Sequence, residues 1–138
     1  MSADTPGASL PGDTGADAEL VLRLIPMPSD THLGDQVSGG WMLAKLDAAG
    51  SVLPTRAARG RVVLVAIEKL AFNLPVKSGD LVSFYASVLR IGTTSITVLV
   101  KAKTERRGNL GEASQVTEAV MTYVAIDDAG QPLSMQMT

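Results

Sequence analysis

GGWMLAKLDAAGSVL (Gly39–Leu53) reads as a helix in which nearly every residue is small or apolar. Ser38 is placed to cap its first turn, and Pro54 to close its far end. A helix that is apolar on every side needs cover on every side. Near its middle stands Asp47. Residues three and four positions away share its face, and these are Leu43, Ala44, Gly50 and Ser51. Lys45 lies two positions off, about 200° round the helix, and cannot pair with it. Asp47 is therefore a carboxylate on a small-residue face with no local counter-ion, which is costly to bury unpaired. It reads as a candidate general base in a cleft, or else as an acid that faces solvent or pairs with a distant base.

The flanks of this helix supply its cover. Upstream, ELVLRLI is a short strand ended by Pro26 and Pro28, and MPSDTHLGDQVSG is a polar loop. Downstream, after TRAARG, the chain turns β-rich. Strands are expected over Arg61–Phe72, Leu81–Ile91, Ser95–Glu105 and Ala113–Asp127. In the third of these, Ile96, Val98, Val100 and Ala102 alternate with Thr97, Leu99, Lys101 and Lys103, the period of a two-faced strand. Gly92-Thr93-Thr94 makes a tight hairpin. The short connections favour antiparallel pairing. One long helix against one curved antiparallel sheet is an α+β layer architecture. The unsheeted side of the helix then calls for a second subunit. Residues 1–18, rich in Gly, Pro, Ala and Asp, are expected as a disordered tail. Residues 19–130 form a single domain, and 131–138 a short C-terminal tail.

Composition narrows the chemistry. The chain has 138 residues, 46% of them apolar, and a formal net charge of −2, enough for one core. With five aromatic residues and no basic stripe, it lacks the marks of a nucleic-acid binder. There is no cysteine, so disulfides, thiolate metal sites and a cysteine nucleophile are excluded. His32 is the lone histidine and precludes a histidine-rich metal site. No resident metal or cofactor is expected. No apolar run reaches the ~18 residues of a membrane helix, and no secretory signal opens the chain, so the cytoplasm is the expected compartment.

A second acid, Asp35, precedes the helix. It reads as a turn residue or as a polar group that orients water or substrate. The helix N-terminus beside it offers free backbone N–H groups and a positive dipole end. Gly39 and Gly40 leave room there for a carbonyl to approach. Glu68 interrupts an apolar strand and reads as an outward or interface carboxylate, and Trp41 as a core or interface anchor.

Taken together, MPSDTHLGDQVSGGWMLAKLDAAGSV, GRVVLVAIEKLAFNLPVKSGDLV, LRIGTTSI and VTEAVMTYVAID resemble the YciA-type and brain-type acyl-CoA thioesterases of the hotdog fold, from about Leu22 to Asp127. The resemblance implies a five-stranded antiparallel sheet wrapped round the helix. It implies an active homodimer with a continuous sheet and sites at the interface, often assembled as a trimer of dimers, a hexamer. The implied reaction is hydrolysis of acyl-CoA to CoA and a carboxylic acid. Asp47 matches the catalytic helix aspartate, as general base or nucleophile. Asp35 matches a position that orients water or the thioester, and a backbone N–H near Gly40 matches the group that polarises its carbonyl. The turn that in relatives often reads Gly-Arg-Ser-Ser beside CoA here reads Gly92, Thr93, Thr94 and Ser95. With that arginine absent, Arg90, Arg106 and Arg107 are candidate phosphate partners alongside Gly92, Thr94 and Ser95. Each arginine also reads as solvated surface charge. The competing functions are a non-catalytic acyl-CoA-binding or regulatory module and a hydroxyacyl-thioester dehydratase. The second would need a histidine at the site, and His32 lies in the loop.

Overall fold

The computed structural model describes residues 18–135; the expected N-terminal tail lies, but for Ala18, outside them. The elements are β1 (Glu19–Leu24), α1 (Gly39–Gly50), α2 (Val52–Ala58), β2 (Val62–Phe72), β3 (Leu81–Ile91), β4 (Ser95–Glu105) and β5 (Ser114–Ala125), with two short 3-10 turns before α1. The five strands form one antiparallel sheet in the order β1-β3-β4-β5-β2. This is the hotdog layout of a sheet around a central helix. Only β3, β4 and β5 run as a simple meander. The chain from β2 to β3 crosses to the opposite side of the sheet, which leaves β2 and β1 as its edges.

Why the helix packs here follows from alternation. Ile96, Val98, Val100 and Ala102 of β4 point at α1 with at most 1% exposure, as do Ala119, Met121 and Tyr123 of β5. From α1 they meet Met42, Leu46 and Ala49. Removing this apolar area from water is the main stabilising term, ~25 cal/mol per Å2. The helix is not buried all round, however. Leu43, Ala44, Asp47 and Ala48 form an exposed face in the single chain.

Pro54 does not end the helical run as expected. It sits in the first turn of α2, where an absent N–H leaves no intrahelical bond unmade. Its effect falls one turn earlier, where the chain breaks at Ser51 between α1 and α2. TRAA thus belongs to a helix, closed by Arg59 in the left-handed region (φ 55°). At the other terminus, residues 131–135 fold back on the sheet. Pro132 bridges Ile126, and Met135 donates its N–H to the Thr93 carbonyl at 2.8 Å. Among the described residues no helix is long and apolar enough to cross a membrane.

Candidate active site

Asp47 lies in the third turn of α1 and faces solvent in the single chain. Lys45 does not pair with it, as expected from its position round the helix; its ammonium lies 5.5 Å from the centre of the Trp41 ring. Trp41 itself packs against the core. What sequence reasoning missed is a partner from the sheet. Tyr123 Oη of β5 stands 2.8 Å from Asp47 Oδ1 and 3.1 Å from the Asp47 carbonyl oxygen. One hydroxyl has one proton to donate. The carboxylate is nearer and charged, so it takes the proton's bond. The carbonyl already accepts from Ser51 N at 3.0 Å. Burial, with the Asp47 hydrogen bond and charge added, pushes the phenol far above its ordinary range. Tyr123 therefore stays protonated and donating throughout the working pH range. A signal for it existed in the sequence: a tyrosine on the apolar face of a strand needs a partner for its hydroxyl.

Ser38 caps α1 as expected, its Oγ accepting from Trp41 N at 3.0 Å. Beside this N-terminus opens a cleft of about 350 Å3. Gln36, Val37, Ser38, Gly39 and Met42 form one wall, and Phe72, Asn73, Leu74, Pro75 and Val76 the other. Gly40 has no side-chain neighbour closer than Ser38 Oγ, 3.8 Å from where a Cβ would sit. The approach to the first N–H groups is therefore open. Asp35, next in the chain to the cleft-lining Gln36, adopts a left-handed backbone (φ 63°) and accepts a 2.7 Å hydrogen bond from Ser78 Oγ. That bond ties the loop before α1 to the turn before β3.

The structure does not bring Asp47 and Gly40 together. Seven residues of helix separate them by ~10 Å along the axis. It divides the other candidates too. Arg90, Gly92, Thr94 and Ser95 surround the β3–β4 hairpin, where Gly92 N donates to Ser95 O at 2.8 Å. Arg106 and Arg107 lie past the opposite end of β4, since Glu105 pairs with Leu81 and Ile96 with Ile91. Those ends are ~30 Å apart along the strand. Arg106 is also engaged within the fold, 3.2 Å from Asp80 Oδ2 and donating to Pro75 O at 2.6 Å. Arg107 is exposed and lies against Gly79, whose positive φ of 87° and lack of a side chain make room for it. Arg90 makes a loose, mostly exposed ion pair with Glu68 at 3.5 Å, a contact that contributes little. His32 is an exposed loop residue. Among the described residues no three His, Asp or Glu side chains are grouped to hold a metal.

Residues 35–110, the stretch that carries Asp35, the α1 N-terminus and Asp47, match the family model of the thioesterase superfamily. The chain is 38% identical over 122 residues to the acyl-CoA thioester hydrolase YciA of Salmonella typhimurium, covering 87% of this chain and 92% of that one. The chain belongs to this thioesterase family. Two solved thioesterases share its fold closely. A hexameric thioesterase from Yersinia pestis superposes with a TM-score of 0.81 at 38% identity, over 87% of this chain and 97% of its own. A hexameric broad-specificity acyl-coenzyme A thioesterase, solved as an aspartate-to-alanine mutant enzyme, gives 0.80 at 35% identity, over 85% and 86%. In this thioesterase the family resemblance read from the sequence is matched by relatives that cover 85–87% of the chain.

Proposed function

We propose that the protein is an acyl-CoA hydrolase that releases CoA and a carboxylic acid, with Asp47 as its general base or nucleophile. The observation that carries this is Asp47 itself: a solvent-facing carboxylate that, among the described residues, has no cationic partner and is held by the Tyr123 phenol, in a chain of the thioesterase family. Acting as base, it takes a proton from water while the water oxygen bonds to the thioester carbon. The C–S bond then breaks, and CoA leaves as a thiolate that is reprotonated. A helix N-terminus, here the N–H groups near Gly40, stabilises the carbonyl oxygen as it gains charge. A thioester is reactive enough for this without a resident metal or cofactor, and CoA enters only as part of the substrate.

The ~10 Å between Asp47 and Gly40 supports a site built by two copies of the chain. Val63, Val65, Ile67, Leu70 and Phe72 stand 37–55% exposed along the edge strand β2. An apolar edge of this kind invites pairing with another edge. If two copies pair β2 antiparallel about a two-fold axis, their ends are exchanged. Val62 lies at the hairpin end of the sheet and Phe72 at the cleft end. Each cleft, with its helix N-terminus, then meets the Asp47-bearing end of the other copy. The same exchange brings the hairpin with Gly92, Thr94, Ser95 and Arg90 towards the other copy's Arg106 and Arg107. A CoA lying across the seam meets both groups. Asp35, braced by Ser78, orients water or the thioester from the loop. Such dimers associate further, as a trimer of dimers. An Ile67→Lys substitution is expected to lower the assembly's mass in sedimentation; an unchanged mass would place the interface elsewhere.

The activity is tested by supplying purified protein with acyl-CoAs of several chain lengths and following free CoA with a thiol reagent. Release is expected, and Asp47→Ala should abolish most of it. No release at any chain length would leave a non-catalytic acyl-CoA-binding module as the better reading.

A further inference from the structure

We propose that Tyr123 is a positioning residue for Asp47, and that Gly50 is a glycine because nothing larger lets the Tyr123 hydroxyl reach that carboxylate. The proposal rests on the reading of Asp47 as the reacting acid. Three observations support it. Tyr123 is 1% exposed, locked among core residues of β5, yet its hydroxyl reaches Oδ1 of a solvent-facing carboxylate at 2.8 Å. The bond is made to one carboxylate oxygen, Oδ1, and among the described residues no donor is seen on Oδ2. Third, a Cβ built on Gly50 would stand 2.8 Å from Tyr123 Oη, 3.1 Å from Met121 Sδ and 3.4 Å from Tyr123 Cε1. Real side chains do not approach so closely, so an alanine there must displace the phenol or bend the helix.

Local propensity gives no reason for the glycine. Gly50 is the last residue of α1, buried, and in ordinary helical backbone, not in the left-handed conformation that usually places glycine at a helix end. Alanine is the better helix former. The cost of Gly50 is understood through what it admits. The arrangement is a buried donor from the sheet, threaded past a helix with no side chain at the crossing, holding a surface acid in one rotamer. Fixing a reacting group in this way raises the rate without adding a contact to the substrate. Tyr123 touches no substrate and therefore acts on kcat.

The test uses the full chain in its native assembly, with three variants and a double variant assayed for CoA release from a saturating acyl-CoA. Tyr123→Phe removes only the hydroxyl. It is expected to lower kcat about 10-fold, the scale of one hydrogen bond to a charged group, with KM unchanged. Gly50→Ala is expected to lower kcat by a similar factor. The double variant should be no worse than Tyr123→Phe alone, because the phenylalanine has no oxygen for the new methyl to displace. Wild-type kcat in Tyr123→Phe, a loss that appears only in KM, or losses that multiply in the double variant would each overturn the proposal. Asp47→Ala runs alongside. If that enzyme keeps its turnover, the reading of Asp47 itself has failed; if it loses turnover while Tyr123→Phe does not, only the positioning role has.

Discussion

Asp80 and Asp47 sit at opposite ends of the same helix-on-sheet layer, and the fold treats them in opposite ways. Asp80 is 3% exposed, and its Oδ2 receives the Lys77 N–H at 3.0 Å, the Thr104 hydroxyl at 3.0 Å and the Arg106 guanidinium at 3.2 Å. Those donors satisfy it and join the turn before β3 to the end of β4. Asp47 is exposed and, among the described residues, has one side-chain donor, the Tyr123 hydroxyl. A carboxylate surrounded by its own donors is a fastening. One held from behind and open in front is available for chemistry. The difference is in burial and in the number of partners, since both are aspartates in a small apolar domain.

The two aspartates should separate activity from stability. Asp47→Ala is expected to cost ~10²–10⁴-fold in kcat, the usual worth of a general base, while its urea midpoint stays near the wild type's. Asp80→Ala should do the reverse. It leaves the Thr104 hydroxyl and Lys77 N–H without their acceptor, for a loss of about 2–3 kcal/mol in urea unfolding. The activity of its folded fraction should persist. A destabilised Asp47→Ala or a folded but inactive Asp80→Ala would erase the contrast.

The phenol behind Asp47 gives a pH signature. Its folded-state titration is displaced upward, so the folded state holds a proton that the unfolded state releases above about pH 10. The stabilisation is complete below that pH and is lost as pH rises beyond it. Tyr123→Phe should therefore lose stability less steeply above pH 10 than the wild type does; parallel unfolding curves would show that the phenol is not held as described. The smallest effect is expected at the loop acid. Asp35→Ala should lower kcat only partly and cost about 1 kcal/mol, because alanine tolerates the left-handed backbone at φ 63° less well. Wild-type kinetics there would return Asp35 to a turn residue braced by Ser78.

Much of this was legible in the chain before its structure. The two-residue alternation of β4 and the apolar helix face each name their own burial partner, and so β3, β4 and the meander around them stand where the pattern placed them. The helix Asp47 and its independence from Lys45 follow from 3.6-residue geometry alone. Other features depend on tertiary meeting. No periodicity tells β2 to pair with β5 at the edge of the sheet, because its apolar residues fit an inner strand as well as an edge. Pro54 marked a helix end to within a turn but not its side, since proline is tolerated in a first turn. Tyr123 and Asp47 are 76 residues apart, and only the packing of α1 on β5 joins them. The candidate CoA contacts looked like one set in sequence, yet they divide between two ends of a strand.

The most direct test of the account is the turnover of Asp47→Asn with a saturating acyl-CoA. The substitution keeps the side chain's shape and an oxygen to accept the Tyr123 hydrogen bond, and it removes the charge and the basicity. A folded, oligomeric enzyme whose kcat falls ~10²-fold or more is expected. Turnover within about threefold of the wild type, a change of less than ~1 kcal/mol in barrier, would contradict it.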